Sequence, residues 1–245
     1  MEAWEIVIIT LTAGAGATLT AVAGLGGGII LLTVLLQFLE PQVAIPVHAV
    51  IQLASNGSRS IILRRDIRWD LTGRFAVLLL PAGFIGFWAS GGIPAGAGRA
   101  SIAIFALLAA WRPTALTSLA RRIGSERHTF TVLGGVAGFL NIPLGVTGPA
   151  IAPFFRQFLT SRHVMVATLA AAQVLGHLTK IIIFGTDGFE FGDHTVLVTA
   201  CTVSVTAGSW VGTRLLGRVS EKLFQRLFRL AITTVAARLL ITSIW

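Results

Sequence analysis

Gly24-Leu25-Gly26-Gly27-Gly28-Ile29-Ile30-Leu31-Leu32 and Gly145-Val146-Thr147-Gly148-Pro149-Ala150-Ile151 interrupt two long apolar runs, and each opens a short apolar segment. Glycine and proline break helices. Asn141 and Pro143 add to the second break. In a bilayer, backbone freed from a helix cannot face lipid, so it must be buried in protein or line a cavity. Two breaks at corresponding positions therefore point to a solute pathway between half-helices. The short segments begin at the breaks. Their first N–H groups and positive dipole ends attract an anion, and glycine lets backbone approach it closely. The competing reading is that the glycines only let helices pack tightly. No Gly-Lys-Ser/Thr follows either break, so neither is a nucleotide P-loop.

Outward from these breaks the chain reads as ten apolar segments. The first five are 6–23, 29–39, 43–63, 71–90 and 93–111; the second five are 129–144, 149–159, 163–184, 194–216 and 223–244. Most are near the ~20 residues that cross a bilayer, whereas 29–39 and 149–159 are too short at ~1.5 Å per residue. Composition agrees. Of 245 residues 54% are hydrophobic and 12% charged, and mean hydropathy is +0.83. A soluble domain carries roughly twice that charge, ~25%. A soluble enzyme and a disordered binder are excluded, and Cys201, the single cysteine, excludes a disulfide framework or a cysteine metal site. The net charge of +9 resides in short loops between apolar runs, which favours a membrane over a nucleic acid. The acidic start, Glu2 and Glu5, does not fit a signal peptide.

The halves match at an offset of 121, from Gly24 to Gly145. That offset pairs Gly27 with Gly148, Gln52 with Gln173, Arg59 with Lys180 and Asp66 with Asp187; one residue more pairs Trp88 with Trp210. The expected organisation is a first membrane repeat (1–118), a basic cytoplasmic linker (119–128) and a second repeat (129–245). After the third segment lie Arg64, Arg65 and Arg68, but after its counterpart lie Asp187, Glu190 and Asp193. By the positive-inside rule equivalent loops of opposite charge face opposite sides. All 19 basic residues except Arg99, Lys180 and Arg238 then fall on the cytoplasmic side. Glu2, Glu5, Glu40 and the acids of 187–193 fall outside with both termini, and Trp4, Trp88 and Trp245 face Trp69, Trp111 and Trp210 across the bilayer. The predicted fold is an all-α polytopic membrane protein of two inverted repeats, each a broken-helix hairpin plus three spanning helices.

A polar stripe marks the third segment of each half. His48, Gln52, Asn56 and Arg59 share one helical face, flanked by Ser55, and Gln173, His177 and Lys180 repeat it. Ionisable groups within a span are costly and usually face a cavity. The candidate binding residues are Gly26, Gly27, Gly28, Gln52, Asn56, Arg59, Thr147, Gly148, Gln173, His177 and Lys180. Glutamine and asparagine amides would donate to oxyanion oxygens, and Arg59 and Lys180 would balance charge at the inner and outer mouths. Snorkelling competes for Arg59, interhelical bonding for the glutamines, and plain core packing for His48 and His177 against proton carriage. Cys201 reads as packing.

The runs GLGGGIILLTVLL (24–36) and GVTGPAIAPFF (145–155) resemble the TauE/SafE family of sulfite and organosulfonate exporters, over about Thr10 to Leu240. The resemblance implies two repeated halves and a small sulfur-containing or organic anion moved across the cytoplasmic membrane. Pro153 fits a proline usual in the family, where the first half has Thr33; Thr147 and Pro149 stand where glycines are usual. A secondary transporter without a cofactor is the first expectation, working by alternating access with the anion between the hairpin tips. A passive anion channel is the alternative. An intramembrane enzyme would need a motif such as Gly-x-Ser-x-Gly or His-Glu-x-x-His, and neither is present.

Overall fold

The computed structural model describes residues 1–23, 26–112, 125–216 and 220–244. Gly24 and Leu25 of the first break, residues 119–124 of the expected linker with Arg121 and Arg122, and also Arg218 and Trp245, lie outside the described residues. The described chain is all-helical. Its helices are α1 (Ala3–Ala23), α2 (Gly27–Leu35), α3 (Pro41–Ile62), α4 (Trp69–Ser90), α5 (Ala95–Trp111), α6 (Glu126–Asn141), α7 (Gly148–Phe158), α8 (Arg162–Thr186), α9 (Thr195–Arg214) and α10 (Glu221–Ile244). They match the ten segments in order. Helix α6 starts inside the expected linker, because Ser125 stands at its N-cap and Glu126 in its first turn, ahead of the apolar run.

Among the described residues, α1, α4, α8 and the stretch from Phe191 through α9 are long and apolar enough to cross a membrane. Helix α3 is as long as α4, at 22 residues, but its polar stripe lowers its hydropathy. Proteins in water keep charges outside and few large apolar side chains exposed; this one, besides its apolar core, exposes large apolar side chains and buries charged ones. Leu11, Trp69, Val77, Trp88, Val196 and Trp210 are exposed, while Gln52, Asn56, Arg59, His177 and Lys180 are buried. That distribution suits lipid outside and a polar interior. The chain is a multi-pass membrane protein.

Helices α3 and α8 cross at the centre. Around them α1 packs on α9, α4 on α6, α5 on α10, α9 on α3, and α4 on α8. Exchanging the halves, α1–α5 for α6–α10, maps each of these contacts onto another in the set or onto itself. Small residues set two of the seams. Gly134 and Gly138 let α6 lie against the Phe75 and Leu79 carbonyls of α4, and Gly208 and Gly212 let α9 lie against the Gly14 and Thr18 carbonyls of α1. These are equivalent seams built on the same four-residue spacing, the membrane small-xxx-small device.

A Cβ at Gly138 would overlap the Leu79 carbonyl, whereas Gly73 on α4 has open space. Gly138→Val is expected to destabilise the protein by roughly 1–3 kcal/mol through overpacking. Gly73→Ala should be neutral or slightly stabilising by helix propensity. Thermal unfolding in detergent compares the two.

Candidate functional site

At the first break the chain turns through Gly26 at φ 107°, a conformation that L side chains rarely adopt. Gly145, at φ 67°, does the same service in the second. Helix α2 then starts at Gly27. Its first N–H does not face a ligand; it donates to Thr20 Oγ1 of α1 at 2.7 Å. Gly28 abuts the Gln52 side chain, its would-be Cβ lying 3.5 Å from Oε1. At the second break the corresponding neighbours are Gly148 and Gln173, at 3.3 Å. The Ala150 and Ile151 N–H groups bond back to the Thr147 carbonyl, and Pro149 has no N–H. Gly148 therefore offers the amide left over at that tip.

Between the tips, the polar stripes of α3 and α8 meet. Asn56 Nδ2 donates to the Gln52 carbonyl at 3.0 Å and lies 3.3 Å from Gln52 Oε1 and from His177 Nε2. Asn56 and His177 are equivalent residues at the 121 offset, so the two halves touch at matching positions. Arg59 donates from Nη1 to Asn56 Oδ1 at 3.1 Å and from Nη2 to Ser55 Oγ at 3.3 Å. Ser55 also meets Ser209 of α9. His48 Nε2 lies 2.9 Å from the Gly28 carbonyl, and its ring stands edge-on to His177 with centroids 5.9 Å apart. Lys180 Nζ donates to the Gly145 carbonyl at 2.6 Å.

Snorkelling, the competing reading of Arg59, does not hold, and both Arg59 and Lys180 lie inside the protein. Arg59 is 1% exposed and Lys180 0%, because the former folds back onto Asn56 and Ser55 and the latter reaches into the second tip. Burying each charge costs several kcal/mol. The expected compensation is a carboxylate, yet among the described residues neither cation has one within ion-pair distance. Ion pairs form at the periphery instead, joining Arg68 to Asp70 and Glu126, and Arg99 to Glu40. Arg59 Nε is buried with no acceptor.

The second tip has the most unspent donors. Among the described residues, Gln173 and the Thr147 hydroxyl make no hydrogen bond, and both line a small cavity with Asn141, Gly176 and His177. The cavity measures about 10 Å³, room for about one water. A second, open cavity of about 380 Å³ lies at the end where α3 begins and α8 finishes. Gln42, Ser90, Ile142, Pro143 and Asp187 line it. So does Ile45, which also borders Gly145, the residue whose carbonyl takes the Lys180 bond. At the opposite end Arg162 Nη2 donates to the Val22 carbonyl at 2.8 Å, in the last turn before the first break.

Every sequence-predicted site residue thus falls at the tips or on the crossing of α3 and α8. Thr20 and Asn141 were missed as a pair. They are equivalent at the 121 offset, and each braces its own half: Thr20 holds the Gly27 amide and Asn141 Nδ2 donates to the Gly176 carbonyl at 2.8 Å. The matched polar position was the available signal. Among the described residues no group of His, Cys, Asp and Glu is arranged to hold a metal.

Asn56→Leu strands the Arg59 guanidinium and the His177 acceptor together. A loss of at least about 2 kcal/mol is expected, since removing one partner of a buried charged bond leaves the desolvation cost unmet. Asn56→Asp restores an acceptor and should unfold closer to wild type. Melting of both variants in detergent, side by side, checks the ordering.

A family model described as sulfite exporter TauE/SafE matches residues 8–239. Nothing among curated proteins and nothing among solved structures matches.

Proposed function

Since the chain belongs to the TauE/SafE sulfite exporter family, we propose that it is a secondary transporter that exports sulfite or a related small sulfur-containing or organic anion across the cytoplasmic membrane. The observation that carries the anion is the pair of buried cations, Arg59 and Lys180, with no carboxylate among the described residues beside either. A charge held in the interior needs a countercharge. A mobile anion supplies it while bound. The Gly148 amide, the Thr147 hydroxyl and the Gln173 amide coordinate it from the second tip. Gln52 and Gly28 close the other side, with Arg59 and Lys180 as the flanking charges.

The halves act as inverted repeats, residues 1–118 and 129–245, joined by the basic linker, with both termini outside. Three features support alternating access between them. The polar cluster belongs to both halves at once. The small cavity at the second tip has room for about one water, so the site has to rearrange to admit an anion. The vestibule at the α3-start end is lined by Ile45, which borders Gly145 of the second tip. Rocking of one half against the other opens the cluster to one end and then the other. A channel of the same architecture requires a through-path, and the same measurement separates the two, because channel flux appears as single-channel current in planar bilayers.

In liposomes holding the purified protein, sulfite flux is expected to fall at least about tenfold in Gln52→Ala and in Gln173→Ala, the loss of one charge-assisted donor at a buried site, with insertion unchanged. Undiminished flux in both removes the glutamines from the site. Orientation is tested separately. Single cysteines at Arg64 and at Glu190, in a Cys201→Ser background, should label from opposite faces of intact cells; labelling from one face ends the inverted scheme.

A further inference from the structure

The hydrogen-bond network fixes where the protons sit on two buried histidines. Arg59 is donor-only, so the Asn56 atom it meets is the amide oxygen. Asn56 therefore turns its NH2 toward His177, and His177 Nε2 must accept. The proton of neutral His177 is then on Nδ1. His48 is the opposite case. Its Nε2 faces the Gly28 carbonyl, an acceptor only, so Nε2 carries the proton and Nδ1 is a bare lone pair. Both Nδ1 atoms are buried and without a partner. One is a donor and the other an acceptor, on rings whose centroids are 5.9 Å apart. A buried nitrogen without a partner is costly, and here the two are of complementary sense; His177 lines the cavity of Gln173 and Thr147, and the His48 ring packs edge-on against it.

We propose that His48 Nδ1 and His177 Nδ1 form an acceptor–donor clamp that selects anions carrying an acidic O–H, hydrogensulfite rather than the sulfite dianion or a sulfonate. The clamp rests on the transport reading given above and refines its substrate. The O–H of the anion donates to His48 Nδ1, and another of its oxygens accepts from His177 Nδ1–H. A sulfonate has no such hydrogen and would set an oxygen lone pair against the His48 lone pair. Protonating His48 removes that conflict but adds a third positive charge to a crowded site. Arg59 stands on its own helix and Lys180 and His177 on α8, α2 contributes a carbonyl, α9 contributes the Ser209 hydroxyl, and no described carboxylate pairs with any of them. Protonating His177 at Nε2 would break its bond from Asn56. The site therefore prefers a ligand that brings the hydrogen itself.

The test is binding to detergent-purified protein, followed by thermal shift with sulfite and with methanesulfonate across a pH range spanning the second ionisation of sulfurous acid. Sulfite should bind at least about tenfold tighter than methanesulfonate, the penalty for a site group left without its partner. Above that ionisation its apparent affinity, relative to methanesulfonate, should fall about tenfold per pH unit, as the competent fraction of the ligand falls. His48→Gln keeps a donor for the Gly28 carbonyl but has no acceptor in the Nδ1 position, and the preference should collapse. His48→Asn keeps an acceptor there and should retain it. Equal binding of the two anions, a pH-independent ratio, a preference that survives His48→Gln, or no binding of either anion overturns the clamp. Selective binding without flux in liposomes would leave the clamp standing and overturn transport.

Discussion

Two positive charges held where α3 and α8 pack, with no carboxylate among the described residues beside them, are the constraint around which the rest is arranged. A bilayer interior tolerates an ionised side chain only where protein or water surrounds it. Arg59 and Lys180 are therefore buried among packed helices, and tryptophan, leucine and valine are exposed on the outside. The wrapping has to be tight, and glycine seams between α4 and α6 and between α1 and α9 make it so. The broken hairpins have to come inward for the same reason. Their tips bring backbone carbonyls and amides to a place where helices alone would bring none, and Lys180 takes up one of those carbonyls.

Much of this was legible in the chain. Ten segments, their order and the two breaks could be read from apolar runs and glycine clusters, because those features obey short-range rules of propensity and length. The polar stripe was legible too, since His48, Gln52, Asn56 and Arg59 recur at helical spacing. The family resemblance covered nearly the same span as the family match, residues 8–239.

What the sequence hid is long-range. Nothing near Arg59 announces that it curls inward onto Asn56 and Ser55; a position one turn from a helix end looks the same whether the side chain reaches lipid headgroups or a partner helix. That Thr20 would take the Gly27 amide depends on how α1 and α2 fold together, seven residues apart in the chain. The sequence already showed that the tips differ, with Thr147 and Pro149 in the second where the first has glycines, but not which groups stay free: in the first, Thr20 takes the Gly27 amide. Only the assembled fold shows that the second retains the unspent hydroxyl and glutamine amide.

The meeting of Asn56 and His177 has a historical consequence. They occupy the same place in the two halves, so in an ancestor with identical halves a residue would have touched its own twin. Twins cannot easily be donor and acceptor at once. The present pair can, with the arginine orienting the amide and the amide orienting the imidazole. Such a division of labour is open only to copies that mutate independently yet remain partners for good. A single polypeptide keeps such partners together, whereas separately made, interchangeable subunits would scramble the arrangement.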